Sequence, residues 1–106
     1  MAKPARGEVW LADLGLAAKV RPVLVLSVEP SDVDYALVAV VPHTTFPRGA
    51  AFEVDVPVPG LRTGVFNVQG LSAGPAAKLF RRIATLTAAD VHDVETVVKS
   101  WLGMGR

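Results

Sequence analysis

Val23-Leu24-Val25-Leu26 is four apolar residues with no polar position among them, entered through Arg21-Pro22 and left through Ser27. A run so short and so rich in Val and Leu fits a strand buried on both faces. Such a strand must lie inside a sheet that has material packed above and below it. Pro22 lacks an N–H and suits the start of the strand, where Arg21 stands at the mouth of the core. A second run, Leu37-Val38-Ala39-Val40-Val41, leads into Pro42-His43-Thr44-Thr45. Antiparallel pairing of the two runs would bring the start of the first beside the end of the second, and Arg21 to Thr44. Taken singly, Arg21 also reads as a surface cation and Thr44 as a turn residue.

The other segments are short. Residues 7–14 read as a first strand, with Glu8, Trp10 and Ala12 on one face and Val9 and Leu11 on the other. Residues 35–42 form the strand containing the second run. Phe52-Glu53-Val54-Asp55-Val56 alternates as a strand with one wet face. In the strand expected over 64–69, Asn67 and Gln69 lie two apart and share a face. A short helical turn near 75–79 precedes another strand. Thr87-Ala88-Ala89-Asp90 places a hydroxyl at an N-cap and an acid at the third helical position. Val91, Val94, Val98 and Trp101 or Leu102 then recur at helical spacing up to Gly103, which predicts a helix over 88–102 with Asp93, Glu95 and Lys99 solvated. Short strands followed by one helix predict a small, bent antiparallel sheet or barrel capped by that helix, as one domain over 1–106.

Half the chain, 51%, is hydrophobic, and 18 positions are Val. A chain of 106 residues has limited interior, so part of this surface is expected to be covered by a second copy. The net charge of +1 excludes a histone-like mode of binding but leaves room for a local basic site, and seven of the 11 cations are Arg. No cysteine is present, which excludes disulfide and thiolate chemistry and fits a cytoplasmic protein. No signal peptide or membrane span is expected. The chain has no Gly-rich phosphate loop, no His-Glu-x-x-His and no nucleophile elbow, and its acids are scattered singly, so neither metal nor cofactor is expected. His92 reads as a solvated helix residue. What remains is a cationic and hydroxylic set, Arg21, His43, Thr44 and Thr45, with Asn67 and Gln69 nearby. Arg stabilises charge on phosphoryl oxygens and Thr donates to them, so the set suits a phosphodiester.

Three blocks carry a family resemblance: Arg6-Gly7-Glu8-Val9-Trp10-Leu11-Ala12-Asp13-Leu14, Arg21-Pro22-Val23-Leu24-Val25-Leu26-Ser27 and Val40-Val41-Pro42-His43-Thr44-Thr45. In this order and spacing they resemble the signature blocks of the MazF/PemK toxins of bacterial toxin–antitoxin pairs. Val68-Gln69 with Leu71, and Arg81-Arg82-Ile83-Ala84-Thr85-Leu86-Thr87, are similar to that family's tail. The resemblance implies an SH3-like barrel with a C-terminal helix, a homodimer, and metal-independent cleavage of single-stranded RNA that leaves a 2′,3′-cyclic phosphate and a 5′-OH. It places the catalytic arginine at Arg21 and the catalytic threonine at Thr44. His43 or Thr45 would serve as base or substrate contact. Lys19, Asn67, Gln69, Arg81 and Arg82 would bind RNA. A cognate antitoxin with an acidic, disordered segment would compete at the same edge; neither a membrane nor DNA is an expected partner.

The chain departs from that pattern twice. The loop over 13–20 is short and lacks the Gly-x-Glu-Gln segment common before the arginine. Val68 stands where some members carry an acid used as a base, leaving Arg21, His43 or a backbone acceptor for that role. Two other readings stay open: a gyrase-poisoning toxin resembling CcdB, for which a Trp near the chain end (here Trp101) matters, and a member that binds RNA or antitoxin without cutting.

Overall fold

The computed structural model describes residues 3–13 and 20–105; most of the first loop, with Lys19, lies outside them. The strands are β1 (Glu8–Asp13), β2 (Val20–Val25), β3 (Leu37–Thr44), β4 (Glu53–Val54), β5 (Val65–Asn67), β6 (Ser72–Pro75) and β7 (Leu79–Thr85), and the helix is α1 (Ala88–Leu102). They form one antiparallel sheet in the order β4-β5-β3-β2-β1-β7, with β6 also pairing β3. β6 and β7 lie on opposite flanks of the β3-β2-β1 centre, yet a single 3-10 turn (Ala76–Lys78) joins them. The sheet therefore curls back on itself without closing, and the expected barrel is an open, barrel-like sheet.

Both faces of the central strands are buried, as the uninterrupted apolar run requires. Val9, Leu24 and Val41 point to one side, where Phe66, Val68, Val91 and Val94 complete a core under the helix. Trp10, Ala12, Val23, Val25, Val38 and Val40 point to the other and fill the hollow of the curl with Leu79. The β1–β2 register pairs Val9 with Leu24 and Trp10 with Val23, and β2–β3 pairs Leu24 with Val41 and Val25 with Val40. Successive residues thus alternate between two cores, which the period of two along a strand makes unavoidable.

The helix begins and ends as its sequence predicts. Thr87 accepts a hydrogen bond from the Asp90 N–H at 3.1 Å, and Gly103 closes it with φ 71°, a left-handed conformation. Its inner face carries Val91 and Val94 into the core, with Val97, Val98 and Trp101 packed alongside. Glu95 is half-buried rather than solvated, because its carboxylate accepts from the Arg6 guanidinium, which also donates to the Leu26 carbonyl.

Strand boundaries shift by one to three residues, and three of the shifts bear on the cleft. β3 runs on to Thr44, because His43 and Thr44 pair with Phe66 and Val65. β4 is only two residues long, since the chain pairs with β5 at Glu53 and Val54 alone. β5 stops at Asn67, and Gln69 falls in a 3-10 turn (Val68–Gly70) rather than on the strand. Strand β6 carried no apolar pattern to announce it: Ser72, Ala73, Gly74 and Pro75 owe their strand geometry to β3. Replacing Thr87 with Ala should lower the unfolding free energy by about 1 kcal/mol, and Thr87→Ser by less, in urea titrations followed by circular dichroism.

Candidate active site

The β2–β3 ladder ends at Val23 opposite Pro42. Carried past its last pair, the same register would set Pro22 against His43 and Arg21 against Thr44, and both Arg21 and Thr44 line the same two hollows. The alternation that sends Val23, Val25, Val38 and Val40 into the hollow of the curl puts Arg21 and Thr44 on that same face. Here the two strands have left the core, so an exposed guanidinium and a half-buried hydroxyl stand side by side at the sheet edge.

Two adjoining hollows share this pair. One, of about 320 Å³, is walled by Arg21, Thr44, Thr45, His43 and Arg62. The other, of about 370 Å³, is walled by Arg21, Thr44, Arg48, Asn67 and Gln69. Phe46 borders both and is 84% exposed. Thr44 Oγ1 accepts a hydrogen bond from the Phe46 N–H at 3.1 Å. With that lone pair engaged, the hydroxyl proton is left to donate into the cleft. Asn67 and Gln69 do come together with Arg21 and Thr44, through a cap rather than a shared strand face: Asn67 Oδ1 accepts from the Gln69 N–H at 3.2 Å and holds the turn against the cleft.

His43 faces away from Thr44, as alternation dictates. It is 5% exposed and lies edge-on to Phe66, with ring centroids 5.1 Å apart. Burial lowers its pKa from the ordinary 6.5, and the nearby Asp55 charge only partly opposes this. Val68 is fully buried beneath the cleft, so the position where some relatives of this sequence pattern carry an acid faces the core here.

Arg81 and Arg82 are not brought to this site. They lie on β7, at the other end of the strand order, beside a separate groove with Lys3, Glu8, Trp10 and Phe80. Arg82 pairs there with Glu8 at 3.2 Å. Trp101 packs half-buried against the helix-side core, and His92 is exposed. Among the described residues, the cations that line the cleft besides Arg21 are Arg48 and Arg62. Sequence reasoning missed both; their only signal was an Arg within two residues of a Gly in a Pro-containing turn, in Pro47-Arg48-Gly49 and Pro59-Gly60-Leu61-Arg62. Among the described residues no three His, Asp or Glu side chains converge as a metal site would need, and no helix is long and apolar enough to cross a membrane.

A curled antiparallel sheet with one terminal helix and an open cleft of arginines, hydroxyls and amides defines a small β-protein with a locally cationic sheet edge. Residues 5–102 match the family model of the PemK-like, MazF-like toxins of type II toxin–antitoxin systems, and the chain belongs to this family. It is 30% identical to Mycobacterium tuberculosis toxin MazF-mt6, with 93% of this chain and 99% of that one covered and a TM-score of 0.78. A mycobacterial endoribonuclease in complex with its cognate antitoxin is 25% identical over 97% and 98% of the two chains, TM-score 0.81. A MazE–MazF structure from Deinococcus radiodurans shares the fold at 24% identity, 99% and 100% coverage and TM-score 0.83.

Two predictions follow the geometry. A Cβ on Gly64 would lie 2.2 Å from the Thr44 carbonyl oxygen and 2.8 Å from His43 Cε1, so β5 approaches the working end of β3 only because Gly64 has no side chain. Gly64→Ala should cost on the order of 1–3 kcal/mol in urea unfolding, as overpacking does. For His43 the folded chain disfavours the protonated ring. Its stabilising contribution is whole above 6.5 and is lost progressively as pH falls below that value, where the unfolded chain takes up a proton first. Thermal unfolding at about pH 7.5 and about pH 5.5 should show a drop for wild type that His43→Phe reduces.

Proposed function

We propose that the chain is an endoribonuclease toxin that cuts single-stranded RNA without a metal ion. The observation that supports this reading best is the pairing of Arg21 and Thr44 on one face, at the open end of β2 and β3. In the proposed reaction the ribose 2′-OH attacks the adjacent phosphorus. The O2′–P bond forms and the P–O5′ bond breaks, leaving a 2′,3′-cyclic phosphate and a 5′-OH. Negative charge builds on the non-bridging oxygens. A guanidinium fork and a hydroxyl proton already aimed at them stabilise it without rearrangement. The 2′-OH gives up its proton and O5′ gains one; with His43 and Val68 both buried, Arg21 or a backbone acceptor is left to take that proton.

Arg48 and Arg62 flank the scissile position and suit the neighbouring phosphates, while Asn67, Gln69 and Thr45 offer hydrogen bonds to bases or sugars. The cognate antitoxin lays an acidic segment over these same cations; Arg81 and Arg82, at the far edge, lie outside this shared site. Exposed Tyr35, Phe80 and Leu102 are apolar surface of the kind a homodimer covers. This assignment belongs to the cytoplasm, where mRNA is met.

The test is cleavage of a single-stranded RNA in EDTA, with the product ends identified. Arg21→Lys should fail, because a point charge does not reproduce the fork. Thr44→Val keeps the shape and loses the donor, and should cost on the order of 2–4 kcal/mol, about 30- to 1,000-fold in rate. Replacing the 2′-OH at the cleaved step with hydrogen should abolish cutting and leave binding nearly intact. A requirement for Mg²⁺, or 5′-phosphate ends, would sink the mechanism. RNA binding without cutting would mark a member that has lost activity, and gyrase inhibition without RNA cleavage a CcdB-like toxin.

A further inference from the structure

Glu53 is a carboxylate beside a cleft assigned to a polyanion, where simple electrostatics counts against it. The structure gives it other work. Its Oε1 accepts from the N–H groups of Gly49 at 2.9 Å, Ala50 at 3.1 Å and Arg48 at 3.2 Å, and its Oε2 accepts from Arg48 N–H at 2.9 Å. Three successive backbone donors thus converge on one side chain. The turn they belong to has Gly49 at φ 74° and is otherwise exposed, with no buried side chain of its own to hold it. Arg48 belongs to it and Phe46 lies two residues before it, and both are walls of the cleft.

Across the β4–β5 ladder, Glu53 stands opposite Asn67. Asn67 caps the turn that carries Gln69. One cross-strand pair therefore anchors both sides of the same hollow: Glu53 ties down the 48–50 turn, and Asn67 ties down the 68–70 turn. Phe46 is fastened at the near end, through its N–H to Thr44 Oγ1. The segment between Thr44 and Glu53 is held at two points, with an aromatic face and a guanidinium displayed between them.

We propose that Glu53 is a positioning residue for RNA: by clamping the 48–50 turn it holds Phe46 as a stacking face for an unpaired base next to the scissile phosphate, and Arg48 for the phosphate beyond it. This rests on the endoribonuclease reading and adds to it which nucleotide-binding wall is built and what builds it. An exposed ring with a neighbouring cation is the usual platform for single-stranded nucleic acid. The clamp lowers the cost of binding, because the turn need not be ordered when RNA arrives.

The sign of one substitution separates this role from its rivals. If Glu53 acted only through its charge, Glu53→Ala would bind RNA more tightly, since a repulsive charge has gone. If it served only the fold, Glu53→Ala would lower the thermal midpoint and leave the affinity of the folded protein unchanged. As a clamp, its loss should weaken binding of a non-cleavable oligonucleotide, deoxy at the cleaved step, by about tenfold, the scale of one lost base stack. KM for the cleavable RNA should rise by a similar factor with kcat little changed, because Arg21 and Thr44 keep their places. Glu53→Gln retains one acceptor oxygen and should fall between. Phe46→Ala should weaken binding alone but add little on top of Glu53→Ala, because the clamp acts through that ring.

Amide hydrogen exchange at Arg48, Gly49 and Ala50 reads the clamp with no RNA present: protection in wild type should be lost in Glu53→Ala and partly kept in Glu53→Gln. Unchanged or tighter RNA binding by the folded Glu53→Ala protein overturns the proposal, as does unchanged amide protection. Should Glu53→Ala not fold, Glu53→Gln and the Phe46→Ala double variant decide the same two questions. A wild-type protein that shows the protection but neither binds nor cuts RNA overturns the endoribonuclease reading, and the role built on it, while leaving the clamp itself standing.

Discussion

The antiparallel ladder between β2 and β3 is the constraint on which the rest depends. Its register is forced by burial on both faces: a slip of one residue would exchange the residues of the two cores and send Leu24 and Val41 into the hollow that Val23, Val25 and Val40 fill. A ladder so tightly specified carries its register beyond its last paired residues. Arg21 and Thr44 inherit their places from it, although neither is buried and neither needs a contact with the other to be held. The cleft is thus the exposed continuation of a core, and strand packing provides the rigidity that a charge-stabilising pair needs.

The remaining walls are irregular backbone held by single side chains. Glu53 and Asn67 each satisfy backbone donors of a turn, and Gly64 and Gly70 let two neighbouring segments approach the end of β3. A Cβ on Gly70 would lie 2.6 Å from Pro42 Cγ, as one on Gly64 would crowd Thr44. β3 is therefore closely covered on the side away from β2 and open at its tip. The 68–70 turn is itself supported from beneath, where Val68 reaches the core that Val91 and Val94 of the helix complete. The family match covers this whole assembly, from residue 5 to residue 102.

How far the sequence foretells this arrangement depends on what holds each part. Where burial periodicity or a cap does the work, the reading is close: the helix over 88–102 and its Thr87 cap stand as predicted. The placement of Arg21 and Thr44 on one cleft was legible because it needs only two apolar runs and antiparallel pairing. Arg48 and Arg62 were not, since turns have no period that says which way a side chain will face. Gln69 was assigned to a strand because Asn67 and Gln69 alternate, but Asn67 spends its side chain on capping and so ends that strand. The resemblance to the family's tail offers Arg81 and Arg82 as RNA contacts, and it is strand order, invisible in local pattern, that sets them on β7, away from the Arg21–Thr44 cleft. β6 is a strand only because β3 offers it a ladder.

The net charge is only +1, yet several of the carboxylates are turned toward donors of their own. Burial alone would raise the pKa of Glu8, but hydrogen bonds from Trp10 Nε1, the Ala5 N–H and Arg82 overcome that and leave it lowered and ionised. Glu95 is held by Arg6, and Asp34 by the N–H and hydroxyl of Ser31. Glu53, the acid that borders the cleft, has its pKa lowered first by the Arg48 N–H, and its oxygens point into backbone rather than toward ligand. Glu8 and Glu95 are balanced by the guanidinium groups of Arg82 and Arg6, while Asp34 and Glu53 keep their charge and turn their oxygens toward neutral donors of their own turns. Arg21, Arg48 and Arg62 meanwhile gather around two adjoining hollows. The charge that matters at such a hollow is the local sum, not the total, and with three guanidinium groups and, among the described residues, the single Glu53 carboxylate lining the two hollows, that sum is positive at the edge that holds Thr44.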